Sequence, residues 1–173
     1  MNPSNENCCA SDGNSCSPSP SVFANKVELE AAVNEWVSDA TAAEAVHGPL
    51  PEWDVSFVLD LDGLFKSKGD FNGDISKWDT SKVTSMHSTF QRTAFNQPLV
   101  WDTSQVTNMG AMFFDTTAFN QPLDWDTSKV SNMGYMFFKA DDFDQALDWD
   151  TTLVTDFFEF GECNALNPKN PKC

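Results

Sequence analysis

A tryptophan pattern that recurs at an almost constant interval limits what this chain can fold into. Five tryptophans lie 25, 23, 24 and 24 residues apart, and an aspartate follows each one. The tetrad reads Trp-Asp-Thr-Ser in three cases and differs from that by one residue in the other two. The five positions are Trp53, Trp78, Trp101, Trp125 and Trp149. Repetition at such a period is typical of arrays whose units bury their apolar faces against one another.

Other apolar residues recur in register with the tryptophans. In the third repeat, Val106, Met109 and Phe113 have the spacing of one helix face, and Asp102 before them is a residue type that caps helices. Residues 119–125 alternate apolar and polar side chains, as a short strand does. We therefore predict an α/β repeat solenoid of about five 24-residue units, each with a short parallel strand and a short helix.

The pattern divides the chain into four predicted segments. Residues 1–21 are rich in Ser, Asn, Pro and Cys and are predicted to be a disordered tail. Residues 22–49 are predicted to form a helix that caps the array and ends at Gly48-Pro49. Residues 50–161 are the repeats, and 162–173 are a polar tail. The apolar stripe of the capping helix consists of Leu29, Ala32, Val33, Trp36 and Val37.

Composition excludes several classes of partner. The chain has 26 acidic and 10 basic residues, a formal net charge of −16, which argues against binding to nucleic acid or to an anionic membrane surface. No apolar run is long enough for membrane insertion. The first residues show neither the basic nor the apolar region of a signal peptide.

The repeat motif resembles that of a known family. The pattern Trp-Asp-Thr-Ser-x-Val-Thr-x-Met-x-x-Met-Phe, followed by Phe-Asn-Gln-x-Leu, resembles the BspA-like surface-protein repeat, which was first noticed in mycoplasma lipoproteins and is related to leucine-rich repeats. Residues 101–123 and 125–147 match it best, within a resemblance that covers residues 50–160. The resemblance implies a leucine-rich-repeat-like solenoid and an extracellular or cell-surface location. It carries over no catalytic residue.

The repeated aspartates are the most suggestive polar feature. Carboxylates about 5 Å apart in a column would repel by about 3 kcal/mol at an effective dielectric constant of 20, so each needs a stabilising partner. We favour turn capping, in which each carboxylate accepts a backbone N–H bond. The alternative is calcium held between the units, although the spacing matches no known calcium loop. The candidate calcium column consists of Asp79, Asp102, Asp126 and Asp150, after Asp54 in the first unit. No other cofactor is predicted.

Other recurring side chains have a structural and a binding interpretation. One hydroxyl column consists of Thr80, Thr103, Thr127 and Thr151. Such a column could bind ice or a glycan, although we favour local capping of turns by the hydroxyls. The tryptophans would suit sugar stacking, although a core position is favoured. An amide hydrogen-bond ladder is predicted at Asn72, Asn96, Asn120 and Asp144.

The five cysteines lie outside the repeats. Cys163 and Cys173 are the disulfide candidate, and the pairing of Cys8, Cys9 and Cys16 is open.

No catalytic motif is present, so we predict that the protein is not an enzyme. The leading hypothesis is a secreted or surface-displayed module that binds a protein or glycan of basic or calcium-bridged character, as an adhesin or antigen would. One alternative is a structural subunit docked in a larger assembly. The other is a calcium- or ice-binding array built on the Asp and Thr columns.

Overall fold

The computed structural model describes residues 18–160. Helix α1 spans Lys26–Ser38 and helix α2 spans Ala40–His47. A single 3-10 turn, Leu50–Glu52, leads into the repeats. We number the repeats as units 1 to 5, beginning at Trp53, Trp78, Trp101, Trp125 and Trp149.

The segment before the repeats forms two helices where one was expected. The Asn25 side chain caps α1 by accepting a bond from the Glu28 N–H, and the Asp39 side chain caps α2 in the same way. Asp39 has extended backbone angles (φ −153°, ψ 96°), so the helical path is interrupted there. Gly48 ends α2 with φ 76° and ψ 177°, a positive-φ conformation that favours glycine.

Helix α1 lies against unit 1. Its residues Leu29, Ala32 and Val33 are buried, and the Trp36 ring contacts the Phe71 ring edge-on at 5.6 Å between centroids. The Lys26 ammonium lies 2.6 Å from a carboxylate oxygen of Asp60 in unit 1. Of the predicted stripe only Val37 is exposed, at 42%.

The predicted leucine-rich-repeat-like α/β solenoid is wrong. Within residues 18–160 the helices are those of the leading segment, and no β-strand is present. The units are built from consecutive turns and irregular segments. Each unit is joined to the next by one isolated parallel bridge, formed by the seventh residue after each tryptophan. The bridging residues are Asp60, Ser85, Asn108, Asn132 and Asp156.

The helical spacing of Val106, Met109 and Phe113 has a different cause. The backbone N–H groups of Met109, Ala111, Phe113 and Asp115 donate to carbonyls of unit 4 at 2.8–2.9 Å, so they are not available for helical bonds. The residues between them close short turns within unit 3. In units 1 to 4, the tenth and fourteenth residues after the tryptophan have φ between 53° and 63°, which ends any helical path.

The predicted strand at 119–125 is also absent. Backbone N–H groups here donate to side chains of the neighbouring unit and not to its backbone carbonyls. The Asn120 N–H donates to the side-chain oxygen of Asn96 at 3.0 Å, and the Asn96 N–H donates to Asn72 in the same way. The Asp144 N–H continues the series onto Asn120. The predicted asparagine ladder is therefore confirmed. It replaces the backbone pairing that a strand requires.

Stacked aromatic rings fill the centre of the repeats. One column, Phe65, Phe90, Phe113 and Phe137, has ring centroids 5.4 Å apart and planes within 9° of parallel. A second column, Phe71, Phe95, Phe119 and Phe143, stacks against the first at 3.9–4.1 Å within each unit. Such pairs stabilise a core by about 0.5–1.5 kcal/mol each beyond simple burial.

The tryptophans form a third buried column. Their exposed fractions range from 2% to 8%, which confirms the prediction that they are core residues. Each indole N–H reaches back towards the preceding segment, as Trp101 does to the Ile75 carbonyl at 3.0 Å. A buried indole N–H left without an acceptor would be costly, so these bonds also hold neighbouring units in register.

Candidate interaction surface

The predicted calcium column lies on the surface, one carboxylate per unit. Each carboxylate accepts a bond from the backbone N–H two residues later, at 2.9–3.1 Å. The side-chain hydroxyl and backbone N–H of Ser81 lower the pKa of Asp79, and Ser128 lowers that of Asp126 in the same way. Thr152 lowers the pKa of Asp150, whereas the Asp126 carboxylate opposes that shift. These are the bonds that a turn-capping aspartate makes.

Metal binding by this column stays a prediction. In the part of the chain that the structure describes, no three acidic, imidazole or thiol groups lie close enough together to hold an ion. The disulfide candidate, Cys163 with Cys173, and the other three cysteines lie outside the described residues.

The threonine column is used inside the stack. Thr80, Thr103 and Thr127 are 1–2% exposed, and their hydroxyls donate to backbone carbonyls of the next unit at 2.8–3.0 Å. Only Thr151, in unit 5, is exposed. Three of the four hydroxyls that would suit ice or a glycan therefore bond the units to one another.

The structure brings together a group of aromatic side chains that the sequence analysis did not identify. We call it the aromatic corner, and it consists of Phe114, Tyr135, Phe138 and Phe158. The Tyr135 ring lies 5.1 Å from Phe158, 5.9 Å from Phe138 and 6.2 Å from Phe114 between centroids. Tyr135 is 36% exposed and Phe158 is 50% exposed, whereas the central columns are buried. The corner is therefore a continuous aromatic surface across units 3 to 5.

Two cations lie on the edge of this surface. The Arg92 guanidinium lies 5.8 Å from the Phe114 centroid, and the Lys139 ammonium lies 5.7 Å from the Phe138 centroid. Both distances are within the range of a cation–π interaction. Arg92 also approaches the Asp115 carboxylate at 3.5 Å.

The stack itself does not require aromatic residues at this corner. Where units 3 and 4 have Phe114 and Phe138, units 1 and 2 have Lys66 and Gln91 in the same register. Where unit 5 has Phe158, unit 2 has His87. These polar residues occupy the same turns, so the aromatic side chains at the corner are an addition to the repeat.

Tyr135 is held in a conformation that bulky residues rarely adopt. Its φ is 58°, in the left-handed region, and the equivalent residue of unit 1 is Gly63 with φ 63°. A side chain in this region costs about 1–2 kcal/mol relative to ordinary backbone angles. The equivalent residues of units 2, 3 and 5, which are Ser88, Ala111 and Glu159, also have positive φ, so this strain belongs to the repeated turn and does not single out Tyr135.

The sequence signal for this site is a departure from the repeat. A second Phe follows the recurring core Phe only in units 3 and 4, at 113–114 and 137–138. Comparing what the units share identifies the core. The exposed corner is found only where the units differ.

These features define an acidic protein of stacked, turn-built repeats with an aromatic surface across units 3 to 5. The chain belongs to the family described as Mycoplasma protein of unknown function, DUF285, whose model matches residues 31–124 and 100–171. The mycoplasma-type repeat family is therefore established. No curated protein and no solved structure matches the chain. Between residues 18 and 160, neither helix is long and apolar enough to cross a membrane.

Proposed function

We propose that this protein is a non-enzymatic binding module, displayed at the cell surface or secreted, of the BspA-like type. Its role is to hold a macromolecular ligand on the aromatic corner. The resemblance of the repeat to surface-protein repeats supports the proposed location, and the exposed aromatic corner supports the proposed binding role.

One observation carries the proposal: the corner places four aromatic side chains at the surface where the repeat can be built without them. Aromatic side chains dominate the binding energy of interfaces because they bury a large area at a small entropic cost.

The test compares binding to intact cells by the full chain and by three variants. Tyr135→Gly removes a corner ring and suits the left-handed backbone, and Phe158→Ser removes the most exposed ring. Phe57→Ser is the matched control, because Phe57 is 56% exposed and lies in unit 1, outside the corner.

We expect labelled wild-type protein and Phe57→Ser to bind equally. Both corner variants should lose most binding while their thermal unfolding stays cooperative. Equal binding by all four proteins would show that the corner is not the binding surface.

A further inference from the structure

We propose that Asn72–Gly73 is a modification site, at which the asparagine loses its amide nitrogen as ammonia and water completes its conversion to aspartate or isoaspartate. The site lies where the helical segment meets unit 1, and isoaspartate there loosens this joint. The inference is independent of the proposed binding function, because the site lies outside the aromatic corner.

Glycine occupies position 73 because the leading segment approaches the backbone there. A Cβ atom added to Gly73 would lie 2.5 Å from Cδ2 of Leu50 and 3.1 Å from Cη2 of Trp36, so any larger residue requires these buried contacts to move. In units 2, 3 and 4 the equivalent residues are Gln97, Gln121 and Gln145. Glycine is therefore a requirement of the joint and not of the repeat.

Asparagine occupies position 72 because it begins the amide ladder. Its side-chain oxygen accepts the bond from the Asn96 N–H at 2.9 Å, which holds unit 2 in register with unit 1. The ladder requires an amide and the joint requires a glycine directly after it. Together they produce the single Asn-Gly dipeptide of the chain.

This dipeptide places a nucleophile beside an electrophile within one residue. The Gly73 backbone nitrogen loses its proton to solvent and attacks the side-chain carbonyl carbon of Asn72. The new C–N bond closes a succinimide ring, the bond from that carbon to Nδ2 breaks, and Nδ2 leaves as ammonia after taking a proton from solvent. Water then opens the ring at one of its two carbonyls, which gives aspartate or isoaspartate, and no oxidant or reductant is required.

The structure favours the reaction at this residue. Gly73 has no Cβ to crowd the closing ring, and its N–H donates to no acceptor within residues 18–160. The Asn96 N–H points at the Asn72 side-chain oxygen, where negative charge develops as the nitrogen attacks. Asn72 is exposed, so water and the departing ammonia have access.

The isoaspartate product changes the backbone at the joint. Its main chain runs through the former side-chain carbonyl, which adds one methylene group between residue 72 and Gly73. The oxygen that accepted the Asn96 N–H then belongs to the backbone, and Gly73 is displaced relative to Trp36 and Leu50. Aspartate leaves the backbone unchanged, and unit 4 already has Asp144 at this register.

The experiment incubates the full folded chain at mildly alkaline pH and follows each asparagine by peptide mass mapping, with digestion at acidic pH to stop the reaction. Asn96 and Asn120 are internal controls, because their side chains accept the same ladder bond but glutamine follows each. Gln121→Gly is the matched variant, because it introduces a second Asn-Gly dipeptide on the ladder away from the joint. Asn72→Asp represents the product with an unchanged backbone.

We expect Asn72 to gain one dalton about tenfold faster than Asn96 or Asn120, which corresponds to a barrier lower by about 1.4 kcal/mol. In Gln121→Gly, the rate at Asn120 should rise by a similar factor. Protein enriched in isoaspartate at 72 should melt at a lower temperature than fresh protein, whereas Asn72→Asp should melt close to it.

Equal rates at the three asparagines would overturn the assignment of the site, as would a reaction at Asn72 that occurs only after unfolding. An unchanged rate at Asn120 in Gln121→Gly would show that the glycine is not the cause. If Asn72 reacts fastest but the isoaspartate protein melts as the fresh protein does, the modification does not loosen the joint.

Discussion

The left-handed residues of the turns predict that Ala111→Gly stabilises the protein, although glycine usually does the opposite. Ala111 has φ 53°, and its backbone bonds to the Gly134 carbonyl and the Phe114 N–H do not involve the methyl group. Alanine in this region costs about 1–2 kcal/mol. Glycine also raises the conformational entropy of the unfolded chain, which lowers the stability of the folded state by about 0.4–1 kcal/mol. The difference is a gain of about 0.5–1 kcal/mol.

A second alanine of the same unit provides the control. Ala118 is half-buried like Ala111, but its backbone lies outside the left-handed region. Ala118→Gly therefore retains only the entropic term and should lose about 0.4–1 kcal/mol.

Urea unfolding followed by tryptophan fluorescence measures both changes, because the indoles are buried in the stack. The melting temperature should move by about 2–4 °C per kcal/mol, upwards for Ala111→Gly and downwards for Ala118→Gly. If both variants lose stability to the same extent, Ala111 is not left-handed in the folded protein and the account of the turns is refuted.

Three further predictions follow from the core and the aspartate column. Trp125→Ala should cost about 3–5 kcal/mol in urea unfolding, because Trp125 is 6% exposed and stacks on Trp149; a cost under about 1 kcal/mol would contradict its core position. The pKa of Asp79 is lowered below its ordinary 3.8 by bonds from the Ser81 hydroxyl and backbone N–H, so its stabilising effect is complete above that pH and is lost as pH falls through the lowered value. Asp79→Asn keeps an acceptor without the titration and should flatten the acid side of the melting-temperature profile. Millimolar calcium should raise the melting temperature no more than magnesium does, and a calcium-specific rise of several degrees would restore the calcium alternative.

The repeat pattern predicted part of the fold because core residues recur for a packing reason. Trp125 and Phe113 stack on the same residue of the next unit, and the spacing of such residues is visible in the sequence. The Asn96–Asn120 bond was predictable for the same reason, since an amide at one register position meets the backbone of the next.

The same pattern could not separate a helix from consecutive turns. Val106, Met109 and Phe113 have inward-facing side chains in either case. The difference depends on where the N–H groups of Met109 and Ala111 find acceptors, and those acceptors lie more than 20 residues away in unit 4. Local periodicity contains no information about such bonds.

The sequence by itself determined that five units stack with tryptophan and phenylalanine in their core, because burial of apolar rings repeats wherever the residues repeat. Only the tertiary structure decided that the units are turns, because the bonds that compete with a helix form between units. It also decided the site: Phe114, Tyr135 and Phe158 belong to three different units, and only stacking in register brings their rings to one corner.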